Sequence, residues 1–226
     1  MPLSICAIIP TLNEEECIVQ CIEKLRARGV AQIIVADGGS HDRTVQLATD
    51  LGTKVVRAIR GRGQQLHAAT CHVEHPIIWL VHADCTPPST ATTTIAESVE
   101  SGAQWGAFAI EHIVPHDASR LLRWCLTVAN KRSRTTVTPY GDQAIFVTRE
   151  LLQQIGGVPQ QEIMEDLELS IRLNKITPPV IHQSTISVDS RRFVRHPVKT
   201  FLAWMTFPWL YKLRVSPQRL MRWYSR

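Results

Sequence analysis

The sequence predicts an α/β domain built on a mostly parallel sheet, and two features of its first half carry this prediction. Strand-like and helix-like segments alternate from residue 4 to residue 100, an order that favours parallel strands joined by crossover helices. The segment at residues 77–81 is apolar at every position, as expected of a strand buried on both faces of such a sheet. With 226 residues, the chain is long enough for one well-buried domain.

Each predicted element rests on a local pattern of apolar residues. In the first predicted helix, Ile18, Ile22 and Leu25 share one face, and Gly29 fits its C-terminal end. The predicted strands cover residues 4–9, 32–36, 54–58, 77–81, 105–114 and 143–148, and the predicted helices cover residues 14–28, 42–51, 64–73, 90–100, 118–133 and 165–175. Because no Pro/Gly/Ser-rich linker divides these elements, we expect one domain over residues 1–195.

Residues 196–226 differ in composition and are expected to form a helical C-terminal tail. The tail is rich in aromatic and basic side chains. Such a composition suits a peripheral membrane contact, an oligomer contact or a helix packed on the domain. Pro208 is expected to kink or break a helix in this segment.

Charge and cysteine content narrow the partners and the compartment. The net charge of +5 fits an anionic substrate or membrane surface, and the first half has no basic run interleaved with aromatic residues, which disfavours nucleic acid. The six cysteines form no C-x-x-C pair and fit a reducing compartment better than a zinc site. There is no secretory signal and no apolar run of ~18 residues, so we expect a cytoplasmic protein, with contact at the inner face of the membrane as one option.

Polar, turn-forming residues follow each of the first four predicted strands. Because the carboxyl ends of parallel strands meet at one edge of a sheet, these residues predict a nucleotide-sized cleft there. Asp37 fits a ligand for a ribose or base, and Asp84 fits a ligand for a divalent cation held against a phosphate. Caps of the following helices are the alternative for Ser40 and Asp42, and for Asp84 before the helix near Ser89.

Six short motifs stand in the order found in family-two nucleotide-sugar glycosyltransferases of the GT-A fold. They are P-T-L-N-E-E at residues 10–15, D-G-G-S-x-D-x-T at 37–44, G-R-G-x-Q-L at 61–66, H-A-D at 82–84, G-D-Q at 141–143 and E-D at 165–166. R-R-F at residues 191–193 resembles the basic patch that follows in the family. Each motif alone is weak, but the ordered set over residues 3–195 resembles this family closely. The H-A-D and G-D-Q segments resemble a subgroup of small bacterial members.

The resemblance implies a GT-A fold and an inverting transfer of a sugar from a nucleoside-diphosphate sugar to an acceptor hydroxyl. It implies that Asp166 is the catalytic base and that Asp84 holds Mg²⁺ or Mn²⁺ against the donor diphosphate. The other donor ligands that it implies are Pro10, Thr11, Glu14, Asp37 and Arg62, with Arg62 facing the diphosphate. On the acceptor or diphosphate side it implies Asp142, Gln143, Glu165, Arg191 and Arg192.

His82 stands where the family carries the first aspartate of D-x-D. Histidine ligates Mn²⁺ more readily than Mg²⁺. It can instead hydrogen-bond the sugar, or do neither. With one carboxylate in the motif, we expect weak metal binding in the absence of donor.

Two other functions stay open on the sequence alone. A sugar nucleotidyltransferase shares much of the fold, but it usually has a Gly-rich loop after the first strand, where residues 10–15 of this chain contain no glycine. A non-catalytic protein of the membrane surface fits the replacement at His82 and the aromatic-basic tail.

Overall fold

The chain folds around an eight-stranded sheet, as seen in a computed structural model that describes residues 3–161, 163–189, 194 and 197–224. The strands are β1 (Ile5–Thr11), β2 (Gln32–Asp37), β3 (Lys54–Arg57), β4 (Ile77–Leu80), β5 (Cys85–Thr86), β6 (Trp105–His112), β7 (Phe146–Thr148) and β8 (Val180–Val188). The helices of the described residues are α1 (Ile18–Ala27), α2 (Thr44–Asp50), α3 (Arg62–Thr70), α4 (Ala91–Glu100), α5 (Arg120–Ser133), α6 (Arg149–Gln154), α7 (Glu165–Asn174), α8 (Pro197–Lys212) and α9 (Pro217–Tyr224).

The first half of the sheet is parallel, as predicted. The strand order across the whole sheet is β3-β2-β1-β4-β7-β6-β8-β5. β1 is buried at every position and pairs in parallel with β2 and β4, while β3 pairs in parallel with β2. The register places Thr11 opposite Asp37 and Ile8 opposite Leu80, so the first, second and fourth strands end at the same edge.

The second half of the sheet is mixed. β7 runs antiparallel to both β4 and β6, β8 runs parallel to β6, and β5 runs antiparallel to β8. Gly106 lets β6 approach its neighbours, because a Cβ there would lie 2.3 Å from the Val180 carbonyl oxygen and 2.7 Å from the Phe146 ring. The register of β6 against β8 shifts between Phe108 and Ala109.

The predicted strands and helices are all present, with ends that differ by a few residues. Two strands and one helix are additional: β5, β8 and α6. Pro208 was predicted to kink or break the tail helix. A break is wrong, because α8 continues through this residue. A proline inside a helix removes the bond that its N–H would donate one turn back, here to Trp204. Phe207 and Pro208 are buried, so packing stabilises the helix at this point.

Apolar side chains cover both faces of the sheet. One cluster packs α1 and α4 on Ile9, Val35 and Trp79, and the other packs α3 and α7 on Ile8, Ile34 and other strand residues. The tail joins the domain through a smaller cluster, in which Phe207 and Leu220 pack on Ile163. None of the helices in the described part of the chain combines the length and apolar character needed to cross a membrane.

Candidate active site

The loops after β1 and β2 are joined by hydrogen bonds between their motif residues. The Asn13 side chain accepts from the His41 N–H at 2.9 Å, and the Ser40 hydroxyl accepts from the Asn13 N–H at 2.9 Å. The Glu14 N–H donates to the Thr44 hydroxyl at 2.8 Å. Asn13 has a positive φ of 56°, a strained conformation that these contacts hold in place. Much of the two motifs therefore shapes the loops that line this edge of the sheet.

Asp42 belongs to the same scaffold. Its carboxylate accepts from the Thr44 and Glu15 N–H groups at 2.9 and 3.1 Å. Burial is the largest single effect and raises the pKa of the carboxyl, but the hydrogen bonds from the Thr44 hydroxyl and from these N–H groups together lower the pKa below its ordinary value. The predicted alternative of a capping role agrees with this geometry, since the residue lies just before α2.

Asp37 lies at the end of β2 and is almost fully buried. Its carboxylate accepts from the Gly39 N–H at 2.9 Å and from the Ser40 N–H at 3.1 Å. These bonds fix the turn that follows the strand. The role of Asp37 as a ribose or base ligand stays a prediction.

α3 holds the ends of β1 and β2 together. The buried Gln65 amide donates to the Thr11 and Ala36 carbonyls at 2.8 and 2.7 Å. Gly63 lets the helix approach the loop before α7, because a Cβ there would lie 2.2 Å from the Pro159 carbonyl oxygen. The G-R-G-x-Q-L motif thus sets the position of the strand ends and of Arg62 between them.

Arg62 forms an ion pair with Glu165, with 2.7 Å between Nε and Oε1. The Glu165 side chain is 2% exposed, whereas the Arg62 side chain is 34% exposed. Burial raises the pKa of Glu165 to about 7, and the guanidinium opposes this rise. Glu165 therefore lies behind Arg62 and orients a cation whose outer side faces solvent.

The H-A-D segment brings together three metal-ligating side chains. His82, Asp84 and Cys85 offer ligand atoms that all lie within 4.8 Å of one another. Imidazole, carboxylate and thiolate donors fit a divalent transition-metal cation. Burial and the Asp84 and Asp142 carboxylates raise the pKa of the Cys85 thiol well above its ordinary value, so the free site holds a neutral thiol.

Asp84 is not the cap of the following helix. That helix begins at Ala91, with Thr90 as its N-terminal cap residue. The capping alternative weighed for this carboxylate is therefore wrong. Cys85 directly follows H-A-D, but it was not predicted as a metal ligand, because the cysteines of this chain were assigned to core packing.

Asp166 and His82 converge on one glycine. The Gly141 N–H donates to Asp166 Oδ2 at 2.9 Å, and the Leu167 N–H donates to Oδ1 at 2.7 Å. A Cβ on Gly141 would lie 2.9 Å from His82 Nε2 and 3.3 Å from Asp166 Oδ2. Met164, just before α7, has a φ of 62°, so strained backbone sets the entry to this helix.

A cleft opens beside these two side chains. Its lining includes Pro10 from β1, as well as His82, Gly141, Glu165 and Asp166. Thr11 follows Pro10 at the end of β1, and successive side chains of a strand point to opposite faces of the sheet. Its side chain is buried, and among the described residues its Oγ1 has no hydrogen-bond partner.

Gln143 and Asp142 of the G-D-Q turn have different surroundings. Gln143 is buried, and its amide donates to the Phe108 and Ser133 carbonyls at 2.9 and 3.0 Å. The side chain also accepts from the Tyr140 N–H, so these bonds fix the turn, and its role as an acceptor-side ligand stays a prediction.

Asp142 has the environment of a site residue. Its Oδ1 is buried and has no hydrogen-bond partner among the described residues. Burial raises the pKa of this carboxyl; Asp166 and Asp84 raise it further, while His112 and Arg62 lower it. These interactions show that the predicted carboxylates and Arg62 share one electrostatic environment.

A second cleft lies on the other side of Asp142. Arg132 from α5 stacks between two rings, with its guanidinium 4.7 Å from the Tyr140 ring centre and 4.3 Å from the Trp204 ring centre. Arg132 also donates to the Tyr140 hydroxyl. The side chains of Arg132, Tyr140, Asp142 and Trp204 all line this cleft. The motif comparison missed Arg132 and Trp204, which lie far apart in sequence and in no motif.

Three predicted site residues remain: Glu14, Arg191 and Arg192. Glu14 is half-buried beside the loops already described. Arg191 and Arg192 lie outside the described residues. The structure thus brings Pro10, Thr11, Arg62, His82, Asp84, Asp142 and Asp166 to one edge of the sheet.

A match to a family model identifies the family of this chain. The family model described as glycosyl transferase family 2 matches residues 6–154. The chain belongs to glycosyl transferase family 2. The prediction of a family-two enzyme with this fold is therefore confirmed, and neither the nucleotidyltransferase nor the non-catalytic alternative is favoured.

Individual relatives agree with this assignment. Glycosyltransferase AglJ of Haloferax volcanii is 35% identical over 103 residues, which are 45% of this chain and 34% of AglJ. The chain thus matches only about a third of the length of that relative.

Two solved structures show the same fold. Staphylococcus aureus TarS (residues 1–349), crystallised with UDP-GlcNAc, has a TM-score of 0.62 at 14% identity, over 83% of this chain and 58% of that one. Glucosyl-3-phosphoglycerate synthase from Mycobacterium tuberculosis, crystallised with Mn²⁺, UDP and phosphoglyceric acid, has a TM-score of 0.58 at 19% identity, over 82% and 69%. The likeness confirms the predicted GT-A fold.

Proposed function

We propose that this chain transfers a sugar from a nucleoside-diphosphate sugar to an acceptor hydroxyl, with inversion at the anomeric carbon and with the help of a divalent cation. The observation that carries the proposal is the convergence of Asp166 and His82 on Gly141, at the cleft where the parallel strands end. The proximity of the Asp166 carboxylate to His82, in the segment that would hold the diphosphate, supports a role for Asp166 as the base.

The donor would lie along the ends of β1, β2 and β4. Arg62, whose side chain is 34% exposed, would face the diphosphate, and Thr11 at the end of β1 remains a predicted donor ligand. Glu165 acts on this cation from behind, as a positioning residue. The crystallisation of TarS with UDP-GlcNAc and of the mycobacterial synthase with UDP supports a nucleotide-sugar donor.

A divalent cation would be held by Asp84, with His82 and Cys85 within reach. When bound there, Mn²⁺ or Mg²⁺ supplies Lewis-acid stabilisation for the charge of the departing diphosphate. The Mn²⁺ in the complex of the mycobacterial synthase supports the use of a divalent cation. The thiol must lose its proton before it can ligate a metal, so its contribution depends on pH.

Asp166 would remove the proton of the acceptor hydroxyl. The hydroxyl oxygen attacks the anomeric carbon as the bond from that carbon to the diphosphate oxygen breaks, and the nucleoside diphosphate leaves with the bonding electron pair. A single displacement of this kind inverts the anomeric centre. The Gly141 and Leu167 N–H groups hold the carboxylate in one orientation throughout.

Replacement of Asp166 with asparagine tests the base assignment. The first measurement is a thermal-shift panel of UDP-, GDP-, ADP- and dTDP-sugars with Mn²⁺, because a bound donor raises the melting temperature. We expect Asp166→Asn to keep the donor-induced shift and to lower transfer by ~10²-fold or more. Asp50→Asn, at an exposed site on α2, is the matched control.

Two results would contradict this proposal. Equal loss of donor binding and transfer in Asp166→Asn would remove the residue from the base role. A panel in which no donor raises the melting temperature, with the metal present, would remove the donor class.

A further inference from the structure

An exposed apolar stripe runs along α8. Val198, Leu202, Met205 and Trp209 follow one another at intervals of four, three and four residues, which places them on one side of the helix. Their exposed fractions are 54%, 55%, 41% and 68%. A stripe at this spacing normally packs on a core, but here it points away from the domain.

The opposite side of α8 fixes this orientation. Phe207 packs with Leu220 of α9 against Ile163, and the Tyr211 hydroxyl donates to Glu168 of α7 at 2.7 Å. The helix is therefore anchored to the domain by one face. Its outward stripe is a consequence of that packing.

Other exposed apolar side chains lie on α5 and in the rest of the tail. Trp124 of α5 is 55% exposed, with its ring centre 5.3 Å from that of Phe201. Leu213 and Trp223 are 75% and 51% exposed. We call this set the tail face: Trp124, Val198, Leu202, Met205, Trp209, Leu213 and Trp223.

The charged residues of the tail itself are all of one sign. Residues 197–224 contain no aspartate or glutamate. Their five basic residues are all exposed: Lys199, Lys212, Arg214, Arg219 and Arg222. Tryptophan beside lysine and arginine suits the headgroup region of an anionic bilayer, where rings enter the interface and cations meet lipid phosphates.

We propose that the tail face binds the surface of an anionic lipid bilayer, with α8 lying in the plane of the interface. The apolar stripe would enter the headgroup boundary, and the surrounding basic side chains would lie at the level of the phosphates. The charge complementarity selects a lipid surface over a second copy of this positively charged face, which would repel its like.

α8 also lines the cleft beside Asp142. Trp204 of α8 covers Arg132, which stacks on Tyr140 next to Gly141. If the proposed function holds, docking through the tail face therefore places the Asp142 side of the cleft close to the bilayer. An acceptor carried by a membrane lipid fits this arrangement.

Vesicle binding tests the docking surface separately from transfer. The full chain is sedimented with vesicles of phosphatidylcholine alone and with vesicles that also contain phosphatidylglycerol. We expect binding to the anionic vesicles and little to the neutral ones. Trp209→Ser should weaken binding about tenfold, the loss expected for one large apolar side chain. Ile176→Ser, at an exposed apolar site outside the tail face, is the control and should bind as the wild type does.

Charge reversal tests the basic part of the surface. Arg219→Glu with Arg222→Glu should weaken binding about thirtyfold or more, since each basic residue near an anionic surface contributes to binding. Lys54→Glu, exposed on β3, is the matched control. If Trp209→Ser does not fold, as judged by its thermal transition, Trp223→Ser replaces it.

Three results would overturn the proposal. One is no binding to anionic vesicles, and another is equal binding to both vesicle types. The third is a wild-type protein that is a dimer in analytical ultracentrifugation without vesicles and that Trp209→Ser converts to a monomer. The stripe would then be an interface between two copies of this chain. If the wild-type chain binds anionic vesicles but transfers no sugar, the result would contradict the proposed function and leave the docking proposal intact.

Discussion

Replacing Glu165 with glutamine should remove a pH dependence of stability that the wild-type protein carries between about pH 4.5 and pH 7. Glu165 is buried at the start of α7, with Arg62 2.7 Å away. Burial raises the pKa of its carboxyl in the folded protein from the ordinary 4.5 to about 7. The folded protein thus keeps a proton that the unfolded chain releases over this range.

The size of the effect follows from these two pKa values. Because the folded pKa is the higher one, the stabilisation from this proton is complete below pH 4.5 and is lost as the pH rises through 7. A difference of about 2.5 in pKa, at ~1.4 kcal/mol per unit, corresponds to roughly 3 kcal/mol. Glutamine does not titrate, so Glu165→Gln should not show this loss.

Urea unfolding at a series of pH values from 4.5 to 8 measures the difference. The change in the free energy of unfolding with pH should be more negative by roughly 3 kcal/mol in the wild type than in Glu165→Gln, since other titrating groups cancel in the comparison. Glu23→Gln, exposed on α1, controls for the loss of one negative charge. Parallel pH curves for the wild type and Glu165→Gln would refute the reasoning, because they would mean that Arg62 fully offsets the burial of the carboxylate.

Three further changes probe the scaffold and the metal site. Gly63→Ala should lower the free energy of unfolding by ~3 kcal/mol or more in urea, because its Cβ would lie 2.2 Å from the Pro159 carbonyl oxygen; an unchanged value would contradict the close packing of α3. Gln65→Leu should cost ~2–5 kcal/mol in the same assay, since two buried carbonyls lose their donor; a cost below ~1 kcal/mol would mean that water replaces the amide. Asp84→Asn should abolish the additional rise in melting temperature that Mn²⁺ gives with donor present, and a rise equal to that of the wild type, which EDTA removes, would place the metal elsewhere.

The sequence was most informative about the parallel half of the sheet. β1 and β4 are buried on both faces, so their apolar runs are continuous and easily recognised. β8 was missed because it is mostly half-buried and carries His182, Gln183 and other polar residues. β5, with two residues, is too short to show any period. These strands form only because the neighbouring part of the sheet is already in place.

The motifs predicted the location of the site better than the role of each residue. Asn13, Ser40 and Thr44 hold two loops together, and Gln143 anchors a turn. A sequence pattern records that a side chain is required at a position. Whether the requirement comes from the backbone or from a ligand depends on contacts between residues far apart in the chain, such as the pair of Asp166 with Gly141.

The histidine at position 82 changes the electrostatics of the site. Asp84, Asp142 and Asp166 already share one environment, in which burial and the other two carboxylates raise the pKa of Asp142. A fourth carboxylate at position 82, close to Asp166 across Gly141, would add repulsion that a bound cation must relieve. An imidazole carries no negative charge and so adds none of this repulsion. With histidine at this position, we expect the cluster to fold without a cation and to attract one less strongly. We therefore expect tight metal binding only once the donor diphosphate supplies further negative charge and oxygen ligands.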